Sequence, residues 1–154
     1  MFFSAAIFSC ADIAHAQSNI EIVDFNKLQQ VFLNKSDTTY YINFFASWCA
    51  PCIKELPDFE LFAKEQSNQK VKVIYVSLDM VNTYQQSLVP LVNNLKLTQK
   101  IYLLNEADPN KWINKISKEW SGAIPATLIV NQQKKYNKFI SNSLSNSTLK
   151  KYLP

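Results

Sequence analysis

The feature that most constrains this chain is a pair of cysteines two residues apart, placed where a strand gives way to a helix. Thr39 to Ala46 (TYYINFFA) is β-branched and aromatic with little polar alternation, the pattern of a strand buried on both faces. From Cys52 to Gln66, residues Ile53, Leu56, Phe59, Leu61, Phe62 and Ala63 recur at helical spacing. Between the two stands Trp48-Cys49-Ala50-Pro51-Cys52. A CxxC element at a helix amino end sets its first sulfur beside unpaired backbone N–H groups and the positive end of the helix dipole. Both favour the thiolate, which is the attacking species in disulfide exchange. Cys52 lies one turn further in, close enough to close a disulfide with Cys49. Pro51 takes an early helical position, where a missing N–H costs nothing.

The rest of the chain alternates strands and helices. Ile20 to Val23 reads as a short strand, and Asp24 caps a helix in which Phe25, Leu28, Val31 and Phe32 share a face. Pro57 is expected to interrupt and kink the helix after the cysteines. Val71 to Leu78 is another buried strand, and Tyr84 to Leu97 is helical by period with Pro90 inside it. Ile101 to Leu104 is a short strand, and Asp108-Pro109 starts a helix reaching about Lys118. Ala126 to Val130 and Tyr136 to Ile140 are strands separated by Asn131-Gln132-Gln133-Lys134, and Ser147 caps a last amphipathic helix ending at Leu153. The alternation implies an α/β fold, a mainly parallel sheet covered on both faces, with the final two strands antiparallel. The 154 residues, 47% hydrophobic and 13% aromatic, suffice for one domain with a sizeable core. With a single Gly, the turns are expected to fall to Asn, Asp, Ser and Pro.

The first residues carry a different signal. Phe2, Phe3, Ile7, Phe8 and Ile13 stand among small residues, and Ala14-His15-Ala16 has the small-x-small pattern cut by signal peptidase. Residues 1–16 are therefore expected to be a leader and 17–154 the mature domain, starting at Gln17 in a periplasmic or otherwise extracytoplasmic compartment. No Lys or Arg precedes the apolar stretch, which departs from the usual leader. Ile7-Phe8-Ser9-Cys10 is a poor lipobox that leaves lipid anchoring through Cys10 as the alternative. Cleavage would remove the one His, His15, along with Cys10 and Asp12. The mature chain would then hold two Cys and no Cys–His or Ser–His nucleophile. A zinc site needs three or four ligands that such a chain does not offer around one CxxC, and Met1 and Met80 give little support to a copper site. The net charge of +4 comes from scattered lysines, without the basic, aromatic-interleaved stripe of a nucleic-acid site.

Four elements in order resemble the thioredoxin superfamily, and within it the extracytoplasmic TlpA/ResA-like branch of thiol–disulfide oxidoreductases. They are the strand leading into the WCxPC element, Ile42 to Cys49; Cys52-Ile53-Lys54-Glu55-Leu56-Pro57; the strand end Val76-Ser77-Leu78-Asp79; and Gly122-Ala123-Ile124-Pro125 before a strand. The resemblance runs from about Thr39 to the carboxyl terminus. It implies a thioredoxin fold over 17–154, with a central mixed sheet, helices on both faces, and a helix–strand–helix insertion between Tyr84 and Ser121.

The same resemblance implies the site. Cys49 attacks, Cys52 resolves, and Pro125 forms a cis bond that leaves the Ile124 backbone free to pair with substrate. Trp48, Pro51 and Ile124 bind substrate. Glu55, on the helical face of Cys52, relays its proton; the alternative is a surface Glu or a partner for Lys54 or Lys64. Asn43 stands where cytoplasmic thioredoxins carry a buried Asp. The expected activity is reduction of disulfides in exported envelope proteins by a monomer, without a bound cofactor or metal and with a membrane-bound thiol donor. Ile before Pro125 favours reduction over oxidation. The rivals are a non-catalytic binding module using the Ile124-Pro125 groove, and a peroxiredoxin-like antioxidant. No Arg-bearing motif near the cysteines supports the second.

Overall fold

A computed structural model describes residues 19–154. The expected leader, its cleavage site after Ala16, and Cys10 lie outside the described residues. The element order is β1 (Ile20–Val23), α1 (Phe25–Phe32), β2 (Thr39–Phe45), α2 (Ala50–Glu65), β3 (Val71–Ser77), α3 (Tyr84–Leu95), β4 (Lys100–Leu104), a 3-10 turn (Pro109–Lys111), α4 (Ile113–Ile116), β5 (Ala126–Asn131), β6 (Tyr136–Ile140) and α5 (Asn146–Lys150). The strands form one sheet in the order β1-β4-β3-β2-β5-β6. The first four in that order are parallel, while β5 runs antiparallel to β2 and β6 antiparallel to β5.

β2 is central because every one of its side chains can be buried, and all seven are. Period-two alternation sends Tyr41 and Phe45 to the face covered by α2, α3 and α5. Tyr40, Ile42 and Phe44 go to the face covered by α1 and α4. Asn43 shares the parity of Tyr41 and Phe45, so the polar residue in the middle of the inner strand points toward α2. Asp24 caps α1 by accepting the Lys27 N–H at 2.8 Å, a contact worth about 1 kcal/mol. Leu56, Phe59 and Phe62 of α2 are fully buried, each stabilising the domain by roughly 1.5–3 kcal/mol.

Three local expectations need correction. Pro57 does not interrupt α2, which is continuous from Ala50 to Glu65. The buried Leu56 and Phe59 on either side hold both halves to the sheet at the cost of one backbone bond. The segment after Asp108 is not one helix to Lys118 but a 3-10 turn and a short α4. Trp112 breaks the two with φ −135° while burying its ring against Phe44 and Trp120. The last helix is capped by Ser145 rather than Ser147, through the Thr148 N–H at 3.3 Å. Turn chemistry also differs: two lysines, Lys96 after α3 and Lys135 before β6, adopt the left-handed conformation at φ 52°.

Candidate active site

Strand register gathers three loops at one pole of the sheet. Phe45 at the end of β2 is paired with Ser77 at the end of β3, and Phe44 with Ala126 at the start of β5. The chain leaving β2, the chain leaving β3 and the chain entering β5 therefore lie side by side. The first of these carries the cysteines. Their Sγ atoms are bonded at 2.05 Å, with Cα atoms 5.3 Å apart. Cys49 is the N-cap of α2, in extended conformation, and its Sγ accepts the Cys52 N–H at 3.3 Å. This is the helix-end amide contact that favours negative charge on that sulfur. Cys52 is fully buried and Cys49 nearly so, beneath exposed Trp48, Ala50 and Pro51.

The cysteine loop is tied to the loop after β3 by one carboxylate. Asp79 is buried; its Oδ2 accepts the Ser47 N–H at 2.9 Å and the Ser77 hydroxyl at 2.7 Å, and its Oδ1 accepts the Ser47 hydroxyl. Ser47 immediately precedes Trp48-Cys49, so this carboxylate fixes where the WCxPC element starts. Sequence reasoning noted Asp79 only as part of a strand end. A Ser two residues before an Asp, just past a buried strand, was the available signal.

Glu55 is one turn below Cys52 and is 4% exposed. Its Oε1 accepts the Asn43 Nδ2–H at 2.7 Å and its Oε2 the Leu144 N–H at 2.8 Å, so it is neither a surface residue nor a partner of Lys54 or Lys64. Burial raises its pKa to about 7, against the lowering effect of those two bonds and with a further push from Asp58. The carboxyl is thus poised to take or give a proton near neutrality. Asn43 also donates to Thr127 Oγ1 at 3.2 Å, linking α2 to β5 through the middle of β2. Leu144 and Thr127 could not be found from sequence, since they reach Glu55 and Asn43 only through the fold.

The third loop holds the one cis peptide bond of the described residues, Ile124-Pro125. Trp120 Nε1 donates to the Ala123 carbonyl at 2.7 Å and anchors this loop to the core. Gly122 has φ +88°, and it is this backbone conformation that calls for glycine; a Cβ there would stand 2.8 Å from Ile113 Cδ1, the movable end of a side chain. Pro125 is buried at the start of β5, while Ile124 is half-buried at the shared pole. The structure therefore brings Trp48, Cys49, Pro51, Cys52, Ile124 and Pro125 to one end, with Glu55 beneath them.

Comparison with known proteins agrees with this geometry. The AhpC/TSA family model matches residues 19–138. Sporulation thiol-disulfide oxidoreductase A of Bacillus subtilis (strain 168) is 29% identical over 119 residues, which cover 77% of this chain and 68% of that protein. The crystal structure of StoA from Bacillus subtilis superposes with a TM-score of 0.59 at 25% identity, over 78% of this chain and 85% of that one. The thioredoxin-related protein from Neisseria meningitidis serogroup B gives a TM-score of 0.65 at 19% identity, over 76% and 83%. The fold is thioredoxin-like, as the motifs implied.

Proposed function

The chain belongs to the AhpC/TSA family and is a thiol–disulfide oxidoreductase; we propose that it reduces disulfides in exported proteins, with Cys49 as nucleophile and Cys52 as resolving thiol. The observation that carries this reading is the Cys49–Cys52 disulfide at the amino end of α2, its outer sulfur in contact with a helix-end N–H. In the dithiol form, Cys49 thiolate attacks one sulfur of a substrate disulfide and expels the other as a thiolate. Cys52 then loses its proton, attacks Cys49 Sγ, and releases the second substrate sulfur. The substrate gains two electrons and ends as two thiols; the pair loses two and ends as the disulfide seen here.

Glu55 is the proton acceptor for Cys52 in this scheme, supported by its burial one turn away and its pKa near 7. Pro125 and Ile124 offer the backbone edge against which substrate aligns. Return to the dithiol takes two electrons, which we assign to a membrane-bound thiol donor. The extracytoplasmic location rests on the Ala14-His15-Ala16 pattern. Among the described residues no helix is long and apolar enough to cross a membrane.

Trapping tests the assignment of roles. Cys52→Ser leaves Cys49 able to attack and nothing to release the product, so mixed disulfides with envelope proteins accumulate on non-reducing gels. Cys49→Ser accumulates none. Equal trapping by the two variants would show the roles to be wrong.

A further inference from the structure

The pole opposite the cysteines, where β2, β3 and β4 begin, has an interrupted sheet edge. β3 is paired with β2 from Val71 onward, but its pairing with β4 begins only at Ile74, opposite Lys100. Among the described residues, Val71, Lys72 and Val73 therefore have no strand on the β4 side. The Lys70 carbonyl accepts the Thr39 N–H at 2.8 Å, so it faces β2. Alternation along the strand then turns the N–H and C=O of Val71 into the gap. A bare stretch of inner strand is a template for another extended chain.

The gap is the floor of a groove of about 950 Å³. One wall is α1, which contributes Lys27 and Val31; the other is α2, which contributes Leu61 and Lys64. Lys72 and Lys100 stand on the floor. Lys72 has the parity of Ile74, which packs on the α1 side, so its charge lies on the same side as Lys27. The carboxylate in the lining, Glu60, is already engaged. Its Oε1 accepts the Tyr75 hydroxyl at 3.0 Å and the Thr98 N–H at 3.2 Å, and its Oε2 the Thr98 hydroxyl at 2.6 Å. Lys100 is paired with Glu21 at 2.8 Å, whereas Lys27, Lys64 and Lys72 make no ion pair among the described residues. The groove thus offers positive charge on both walls, with exposed Leu61 and half-buried Val31 between the charges.

We propose that this groove docks another protein, through an extended segment that lies along the free edge of β3 and carries adjacent acidic residues. Successive side chains of an extended chain point to opposite faces. Two adjacent acids therefore reach both walls, one toward Lys27 and Lys72 and the other toward Lys64, while apolar residues between them meet Val31 and Leu61. Backbone bonds to the edge hold the segment, and the lysines select it. The partner is a different polypeptide, not a second copy of this one, because none of the 12 acidic residues of this chain is next to another. The groove lies at the end of the sheet remote from the disulfide, so a docked partner leaves Cys49 and Cys52 open to substrate.

Fluorescence anisotropy tests this with a labelled peptide of Val-Glu-Glu repeats, against Val-Lys-Lys and Pro-Glu-Glu repeats of the same length. The wild-type protein is expected to bind the Val-Glu-Glu peptide about tenfold tighter than either control, the size of two or three exposed charge contacts or of a lost edge pairing. The proline peptide keeps the charge and gives up a backbone donor at every third residue. Lys72→Glu should weaken binding of the Val-Glu-Glu peptide about tenfold and Lys72→Gln about threefold. Lys138→Glu, at an exposed position on β6, should leave it within about twofold. Hydrogen exchange at the Val71 amide should slow when the peptide binds. All three variants should reduce hydroxyethyl disulfide at the wild-type rate; if Lys72→Glu does not, the Lys72→Gln comparison decides. Equal binding of the Val-Glu-Glu and Pro-Glu-Glu peptides, or equal weakening by Lys72→Glu and Lys138→Glu, would mean diffuse charge attraction and overturns the docking groove. Absence of peptide binding overturns it too, whether the protein instead binds phosphatidylglycerol vesicles or forms a dimer that Lys72→Glu dissociates.

Discussion

At the scale of single residues, the active pole separates groups that meet water from groups that must not. Trp48 and Met80 are exposed, while Cys52, Asn43, Glu55 and Asp79 are buried within the same few turns of chain. A carboxyl group as buried as Glu55 is costly when charged, which is why its pKa rises to about 7. That displacement has a sign in stability. The folded-state value lies above the ordinary 4.5, so the native state holds the proton more tightly than the unfolded chain. The resulting stabilisation is fully present below pH 4.5 and is lost as pH rises through 7. Against Glu55→Gln, which does not titrate, the wild-type protein should therefore lose on the order of 3 kcal/mol between acid and mildly alkaline pH, read from urea unfolding of both oxidised proteins. The same variant should slow the resolving step roughly 10- to 100-fold and leave the first attack by Cys49 nearly unchanged. Parallel stability curves, together with equal resolving rates, would reduce Glu55 to a packing residue.

Elements carry the second set of consequences. Lys96 ends α3 in the left-handed conformation, its N–H bonded back to the Asn93 carbonyl at 3.2 Å. That conformation costs an L-residue about 1–2 kcal/mol, and helices ordinarily place glycine there. Lys96→Gly should raise stability by about 0.5–1 kcal/mol once glycine's greater unfolded-state entropy is set against the relief of strain. Thermal unfolding checks it, and a lowered midpoint would mean that the lysine side chain contributes more than its backbone costs. Composition alone hid this use of lysine, because a scarcity of glycine says that turns are made otherwise and not by which residue. The elements themselves were legible: TYYINFFA could only be an inner strand, and the Phe25–Leu28–Phe32 face could only be a buried helical stripe. Short elements were less so. Ser145 and Ser147 are equally good caps in sequence, and the choice falls to Ser145 because Leu149 must reach the core. The break at Trp112 likewise follows from seating two indoles against Phe44, a demand that local periodicity does not carry.

For the whole molecule, chemistry was legible where it was local and illegible where it was assembled. The cysteine pair, the strand before it and the helix after it are contiguous in sequence, so their relation is readable from spacing. The polar network around Glu55 is not: Asn43 and Leu144, which bond Glu55, and Thr127, which bonds Asn43, come from β2, the approach to α5 and β5, and only the sheet order brings them together. The central claim remains that the Cys49–Cys52 pair cycles between dithiol and disulfide in working conditions instead of bracing the fold. Its reduction potential tests this most directly, by equilibrating the protein with graded thiol buffers and counting free cysteines by alkylation. A helix-end thiolate and a reductive role predict a value between about −180 and −270 mV. A value near about −120 mV would reverse the proposed direction of electron flow. One below about −300 mV, where structural disulfides lie, would contradict the account.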